Sequence, residues 1–297
     1  MKRIYALLMS LVIITSLDLA AQTIPVKTRF GKVSKEEVEL MEYPADTSAS
    51  ALMLYEYTSV SIDFDASGGF KLITRKHQRI KVLNEEGLDW GDVEIIYYNS
   101  NTLRDNISGI DVSTYNLVNG KVVETRMPSK YVFREDFTEN YKKLSFSAQE
   151  VRVGSVIEIR YTVSSNIYWE IDDIFLQKDI PVNLSECVVR LPELFEFNKK
   201  QLGFNTVKYE YAAESGSLPL GGGSVYSYTV NVDKYSAADI PAFKEEPYLY
   251  NADQYYTALH YDIRSLTIPG SVYEDFSVNW GDVDDSYLDS DMMRRFR

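Results

Sequence analysis

The chain has 297 residues, with 44 Asp and Glu against 31 Lys and Arg, for a formal net charge of −13. That acidity argues against nucleic acid or an anionic membrane as partner, since both are gripped by clustered cations. A single cysteine, Cys187, rules out an intrachain disulfide, so a hydrophobic core must hold the fold.

The first element is an export signal over residues 1–21. Lys2 and Arg3 form a basic start, Tyr5–Leu17 is apolar except for Ser10, Thr15 and Ser16, and Leu19-Ala20-Ala21 is a small-residue cleavage zone. The apolar run is too short to span a bilayer comfortably, and Asp18 ends it. The expected location is the periplasm or cell surface of a Gram-negative bacterium.

Ser34-Lys-Glu-Glu37 is a capping box and predicts a short helix over Lys35–Glu42, stopped by Pro44. From residue 51 the pattern turns to strands. Leu52–Phe64 and Phe70–Val82 alternate on either side of a Gly68-Gly69 turn, and Trp90–Tyr98 follows. Ile107–Leu117 and Lys121–Arg126 flank Asn119-Gly120, a hairpin signal because both turn positions need positive φ. Tyr131–Ser145 reads as a charged, loop-rich connection. Val156–Ser164, Pro181–Leu191, Asn205–Ala212, Tyr226–Val232 and Ala258–Ile268 complete the predicted strands.

Such a density of aromatic and β-branched residues predicts a mainly β fold. It would be an antiparallel sandwich or super-sandwich, or two sandwich halves. The expected division is a first β region over 22–165, a second over 166–278, and a helix over 280–290 within a last segment, 279–297.

Chemistry-bearing residues are sparse. Asp63-x-Asp65-x-Ser67-Gly68 begins like a calcium loop, but Thr74 stands where the bidentate Glu is required. His77 and His260 have no second ligand at metal spacing. Cys187 sits in an alternating strand, without the helix N-terminus or adjacent His that would lower a thiol pKa. No catalytic, cofactor-binding or metal-binding residue is assigned. Most of the 23 tyrosines are read as packing groups, with Tyr248, Tyr250, Tyr255 and Tyr256 as a candidate ligand surface.

Several segments carry a resemblance. Leu144–Val163 (LSFSAQEVRVGSVIEIRYTV), Arg75–Gly87 (RKHQRIKVLNEEG) and Tyr115–Val123 (YNLVNGKVV) are similar, in order, to a bacterial domain of unknown function. That domain precedes transglutaminase-like cores in exported proteins. Asn279-Trp280-Gly-Asp-Val283 with Tyr287–Asp291 resembles the family's lead-in to such a core, which would carry a papain-like Cys–His–Asp triad. No triad residue maps onto this sequence.

The resemblance implies a non-catalytic domain that scaffolds, or presents substrate to, a transglutaminase-like core lying downstream or on a partner. The alternative is a stand-alone envelope module that binds glycan or peptide through its tyrosine-rich surface.

Overall fold

The computed structural model describes residues 24–65, 69–221, 224–244, 251–268, 270 and 272–276. The expected signal peptide, Tyr248, Tyr250 and the helix beginning at Trp280 lie outside these residues.

Helix α1 (Lys35–Glu39) forms where the capping box requires it. The Ser34 hydroxyl accepts from the Glu37 amide at 3.2 Å, and the Glu37 carboxylate accepts from the Ser34 amide at 2.5 Å. The helix is shorter than the expected Lys35–Glu42, because Leu40 is already extended with ψ 121°. Here the cap specifies the start, and the extended backbone at Leu40 marks the end.

The strands are, in order, β1 (Ala51–Asp65), β2 (Gly69–Val82), β3 (Asp92–Tyr98), β4 (Asp105–Val118), β5 (Lys121–Arg126), β6 (Phe133–Asp136), β7 (Tyr141–Ser147) and β8 (Val156–Ser165). There follow β9 (Ile174–Phe175), β10 (Val182–Pro192), β11 (Phe195–Leu202), β12 (Lys208–Gly221), β13 (Ser224–Ile240), β14 (Ala258–Ile268) and β15 (Val272–Asp275). The β4–β5 turn has φ of 50° at Asn119 and 74° at Gly120, as the Asn-Gly pair demands.

Two of the departures from the sequence reading share a cause. The stretch expected as loop over Tyr131–Ser145 contains β6 and most of β7, and β11 was not anticipated. Charge masked both. In β6 and β7 the charges lie on solvent, with Lys143 reaching Glu94 at 3.2 Å and Glu135 at 2.9 Å, so strand pairing costs them nothing.

An eight-stranded sheet runs β12-β13-β10-β1-β2-β8-β4-β5. Its pairings are antiparallel except β1–β10, which run parallel with Thr58 beside Cys187. That pair joins strands from both sides of residue 165 into one sheet. A three-stranded sheet (β3-β7-β6) and a four-stranded sheet (β11-β14-β15 with β9 on β14) accompany it.

Both small sheets pack on one face of the large one. Val60, Ile80, Ile157, Ile159 and Val189 of the large sheet share a core with Leu144 and Phe146 of β7, and with Leu259, Tyr261 and Leu266 of β14. Each such aliphatic or aromatic side chain contributes about 1.5–3 kcal/mol on burial. The result is a sandwich with one broad layer and two narrow ones.

Residues 24–46 cover part of the opposite face. Leu52, Leu54, Tyr115 and Val156 pack there against Val38 and Tyr43. Beneath this segment lies a buried ionic network. Arg79 donates to Glu158 at 2.5 Å and to Glu37 at 2.8 Å, with all three side chains fully buried. The same guanidinium reaches the carbonyls of Lys27 and Arg29, and Glu158 accepts from the Gly31 amide at 2.8 Å. Burial opposes the charge on Arg79, but Glu158 and Glu37 outweigh it and hold its pKa above the usual value. Burial likewise opposes the Glu158 carboxylate, yet bonds from His77 and Arg79 keep its pKa below the ordinary range.

Candidate functional site

Register across three central strands builds the floor of a cleft. On the face turned toward the small sheets, Thr58 of β1 lies beside Lys76 of β2, which lies beside Tyr161 of β8. The next rows are Val60–Thr74–Val163 and Ile62–Leu72–Ser165. The floor is thus aliphatic and hydroxylic with one cation, Lys76.

One wall is the three-stranded sheet, through Ile95–Tyr98 and Tyr141, joined by Leu103 and Asp105. The other is the 167–174 segment, which brings Ile167, Trp169, Glu170 and Ile171–Ile174. The cleft holds about 460 Å³, within the ~300–1,000 Å³ range of small-ligand sites. Tyr98 and Tyr141 meet edge to face with centroids 5.2 Å apart, which fixes two aromatic surfaces of the wall.

Charges in the cleft differ in their partners. Asp105 accepts from the Tyr98 amide at 2.9 Å, and Asp173 pairs with His260 at 2.6 Å. Asp172 and Glu170 are exposed. Beside Lys76 on the same face, buried Glu56 accepts from Gln78 at 3.0 Å and pairs with Lys178 at 3.1 Å, both through Oε1. Its Oε2 has no partner among the described residues.

The residues singled out from sequence fall in separate places. Cys187 is fully buried in β10, and burial raises its thiol pKa. His77 lies on the opposite face of the sheet, bonded to Glu158 at 2.8 Å. His260 is on β14, paired with Asp173. Cys187 and His77 therefore cannot act on one substrate, since a sheet stands between them. Among the described residues no group of three His, Cys, Asp or Glu side chains could hold a metal ion.

Of the tyrosines named as a ligand surface, Tyr255 is exposed. Tyr256 stacks on Phe243 with centroids 4.0 Å apart and donates its hydroxyl to Asp179. Neither lines the cleft. The cleft instead uses Tyr97, Tyr98, Tyr141, Tyr161 and Trp169, brought together from four segments. Tyr97 and Tyr98 are adjacent in the sequence, whereas the other members become neighbours only through the fold.

A second buried cluster is closed. Asp233 accepts from Lys199 at 2.5 Å, Tyr209 at 2.8 Å and Tyr261 at 3.1 Å, and Tyr261 also bonds Tyr235 at 2.8 Å. Its carboxylate is satisfied by these groups and leaves no unpaired atom for a ligand.

Among solved structures, the chain is similar to a candidate protease from Parabacteroides distasonis ATCC 8503, with a TM-score of 0.52 and 13% identity. The match covers 71% of this chain and 39% of that protein, so this chain spans well under half of that protein's length. An M1 zinc metallopeptidase from Deinococcus radiodurans (TM-score 0.27, 10% identity, 67% of this chain, 45% of that one) is more distant. So is a nutrient binding protein assigned in Legionella pneumophila (TM-score 0.29, 11% identity, 71% of this chain, 67% of that one). At those scores neither carries an argument. No curated protein matches the chain. A family model described as a domain of unknown function with a solved structure, DUF3857, matches residues 71–242 and spans the floor strands β2 and β8 together with both cleft walls; the chain belongs to that family.

Proposed function

We propose that this is a non-catalytic domain that holds a peptide segment in its aromatic cleft and presents it to a transglutaminase-like catalytic core, downstream or on a partner. The observation that carries the reading is the separation of thiol and cleft. Cys187, the chain's one thiol, is sealed in the core, while the open concave surface is built from aromatic, aliphatic and hydroxylic groups with Lys76 and several carboxylates. Aromatic walls give a peptide broad apolar contact and polar tips for orientation, which is what holding without cleavage requires.

Two further points support it. The sequence resembles domains that precede transglutaminase-like cores, and the fold likeness is to part of a longer candidate protease. A core in such a protein would do the chemistry while this domain positions the chain entering it. Positioning alone is worth a great deal, because a held substrate reacts in an effectively intramolecular step.

The test is turnover with a thiol control. Purified protein is expected to show no amidase, protease or transamidase activity on unfolded protein substrates, and Cys187→Ala is expected to leave that trace unchanged. Turnover that depends on Cys187 overturns the proposal. The stand-alone glycan-binding alternative gains if oligosaccharides, but no peptides, quench Trp169.

A further inference from the structure

We infer that the cleft recognises a carboxylate on its peptide, and that Lys76 is the group that reads it. This rests on the peptide-holding reading above and names the chemistry of what is held.

Lys76 stands in the middle of the floor, flanked by Thr58 and Tyr161 on the neighbouring strands. It is half-buried, and among the described residues it has no hydrogen-bond acceptor or carboxylate partner. Three other lysines among the described residues are matched. Lys178 pairs with Glu56 at 3.1 Å, Lys199 with Asp233 at 2.5 Å, and Lys81 donates to two carbonyls. On the same face, Glu56 holds Lys178 and Gln78 through Oε1, and its Oε2 has no partner among the described residues.

An ammonium on an aliphatic and aromatic floor is costly unless an anion meets it. The resulting charge-assisted bond is about twice as strong as a neutral one. The adjacent Thr58 and Tyr161 hydroxyls can donate to the second carboxylate oxygen. A carboxylate therefore fits here better than a neutral amide. The aromatic groups of the two walls, Tyr97 and Tyr98 on one and Trp169 on the other, would then take the body of the preceding residue. Exposed Glu170 and Asp172, on the same segment as Trp169, favour a basic side chain further out.

A peptide carboxylate comes from two sources, the chain's C-terminus or an Asp or Glu side chain. Calorimetric titration of the full chain separates them with three probes: acetyl-Lys-Phe-Ala as the free acid, the same tripeptide as its C-terminal amide, and acetyl-Lys-Phe-Glu-amide. Either carboxylate probe is expected to bind at least tenfold more tightly than the plain amide, and the tighter of the two identifies the source. Lys76→Gln is expected to abolish the difference and Lys76→Arg to keep most of it, with circular dichroism confirming that both variants fold. Equal affinity for acid and amide, or a preference that survives Lys76→Gln, overturns carboxylate recognition while leaving peptide holding in place. No binding of any probe to the unaltered protein overturns both.

Discussion

Arg79 and Glu158 lie directly opposite each other on β2 and β8, their side chains fully buried and 2.5 Å apart. Together with Glu37 they fasten residues 24–46 to the sheet, because the same guanidinium bonds the Lys27 and Arg29 carbonyls. Removing one partner leaves an uncompensated buried charge, at a cost of about 3–5 kcal/mol. Glu158→Gln is therefore expected to lower the urea midpoint sharply and to expose Lys27, Arg29 and Lys32 to trypsin before the sheet is cut. Unchanged digestion at those sites would mean that the segment's other contacts hold it without this ion pair.

The same face makes a prediction about pH. Burial lowers the Lys81 pKa from 10.5 to about 8. Its folded value lies below its unfolded one, so between those limits the unfolded chain holds more protons and stability rises with pH. Below the folded pKa the cost of the buried ammonium is fully present, on the order of 3 kcal/mol. The urea midpoint of the native protein should climb from about pH 8 to about pH 9.5, short of the range where tyrosines ionise. In Lys81→Met that climb should vanish, although the variant starts less stable because the Val38 and Gly154 carbonyls lose their donor.

Gly87 is fixed by a close approach. A Cβ there would sit 2.2 Å from the Ser50 carbonyl oxygen, which itself accepts from the Leu83 and Asn84 amides. The backbone cannot yield without breaking those bonds. Gly87→Ala is expected to destabilise the fold by about 1–3 kcal/mol or more, read as a loss of several degrees in thermal midpoint. A neutral result would show that the turn can move as a unit.

Cys187 gives a direct measure of how well the core is sealed. With its side chain fully buried and its thiol pKa raised by burial, the native protein should not react with a thiol-specific disulfide reagent at neutral pH. In denaturant one thiol per chain should react. Rapid labelling of the native state would contradict the buried placement on which the non-catalytic reading depends.

Much of the fold was legible from local signals. The capping box at Ser34, the Asn119-Gly120 turn and the alternation of Val156–Ser165 each encode a structure that their own residues can specify. The parallel β1–β10 pair was not legible, because pairing between strands so far apart in sequence leaves no local mark. Segment 75–81 shows the same limit for the site. His77, Arg79 and Lys81 face one side of β2 while Lys76 and Gln78 face the other, and sequence alone cannot say which side is sealed and which is open. The tyrosines at 255–256 drew attention by adjacency, whereas the cleft's aromatics come from β3, β7, β8 and the 167–174 segment.

The cleft as the peptide-holding surface is tested most directly by mapping amide chemical shifts of the full chain as acetyl-Lys-Phe-Ala is added. The largest changes are expected at Lys76, Ile95–Tyr98 and Ile167–Ile174, and to be lost together in Trp169→Ala. Changes confined to Tyr255 and Tyr256, or none at millimolar peptide, would contradict the account.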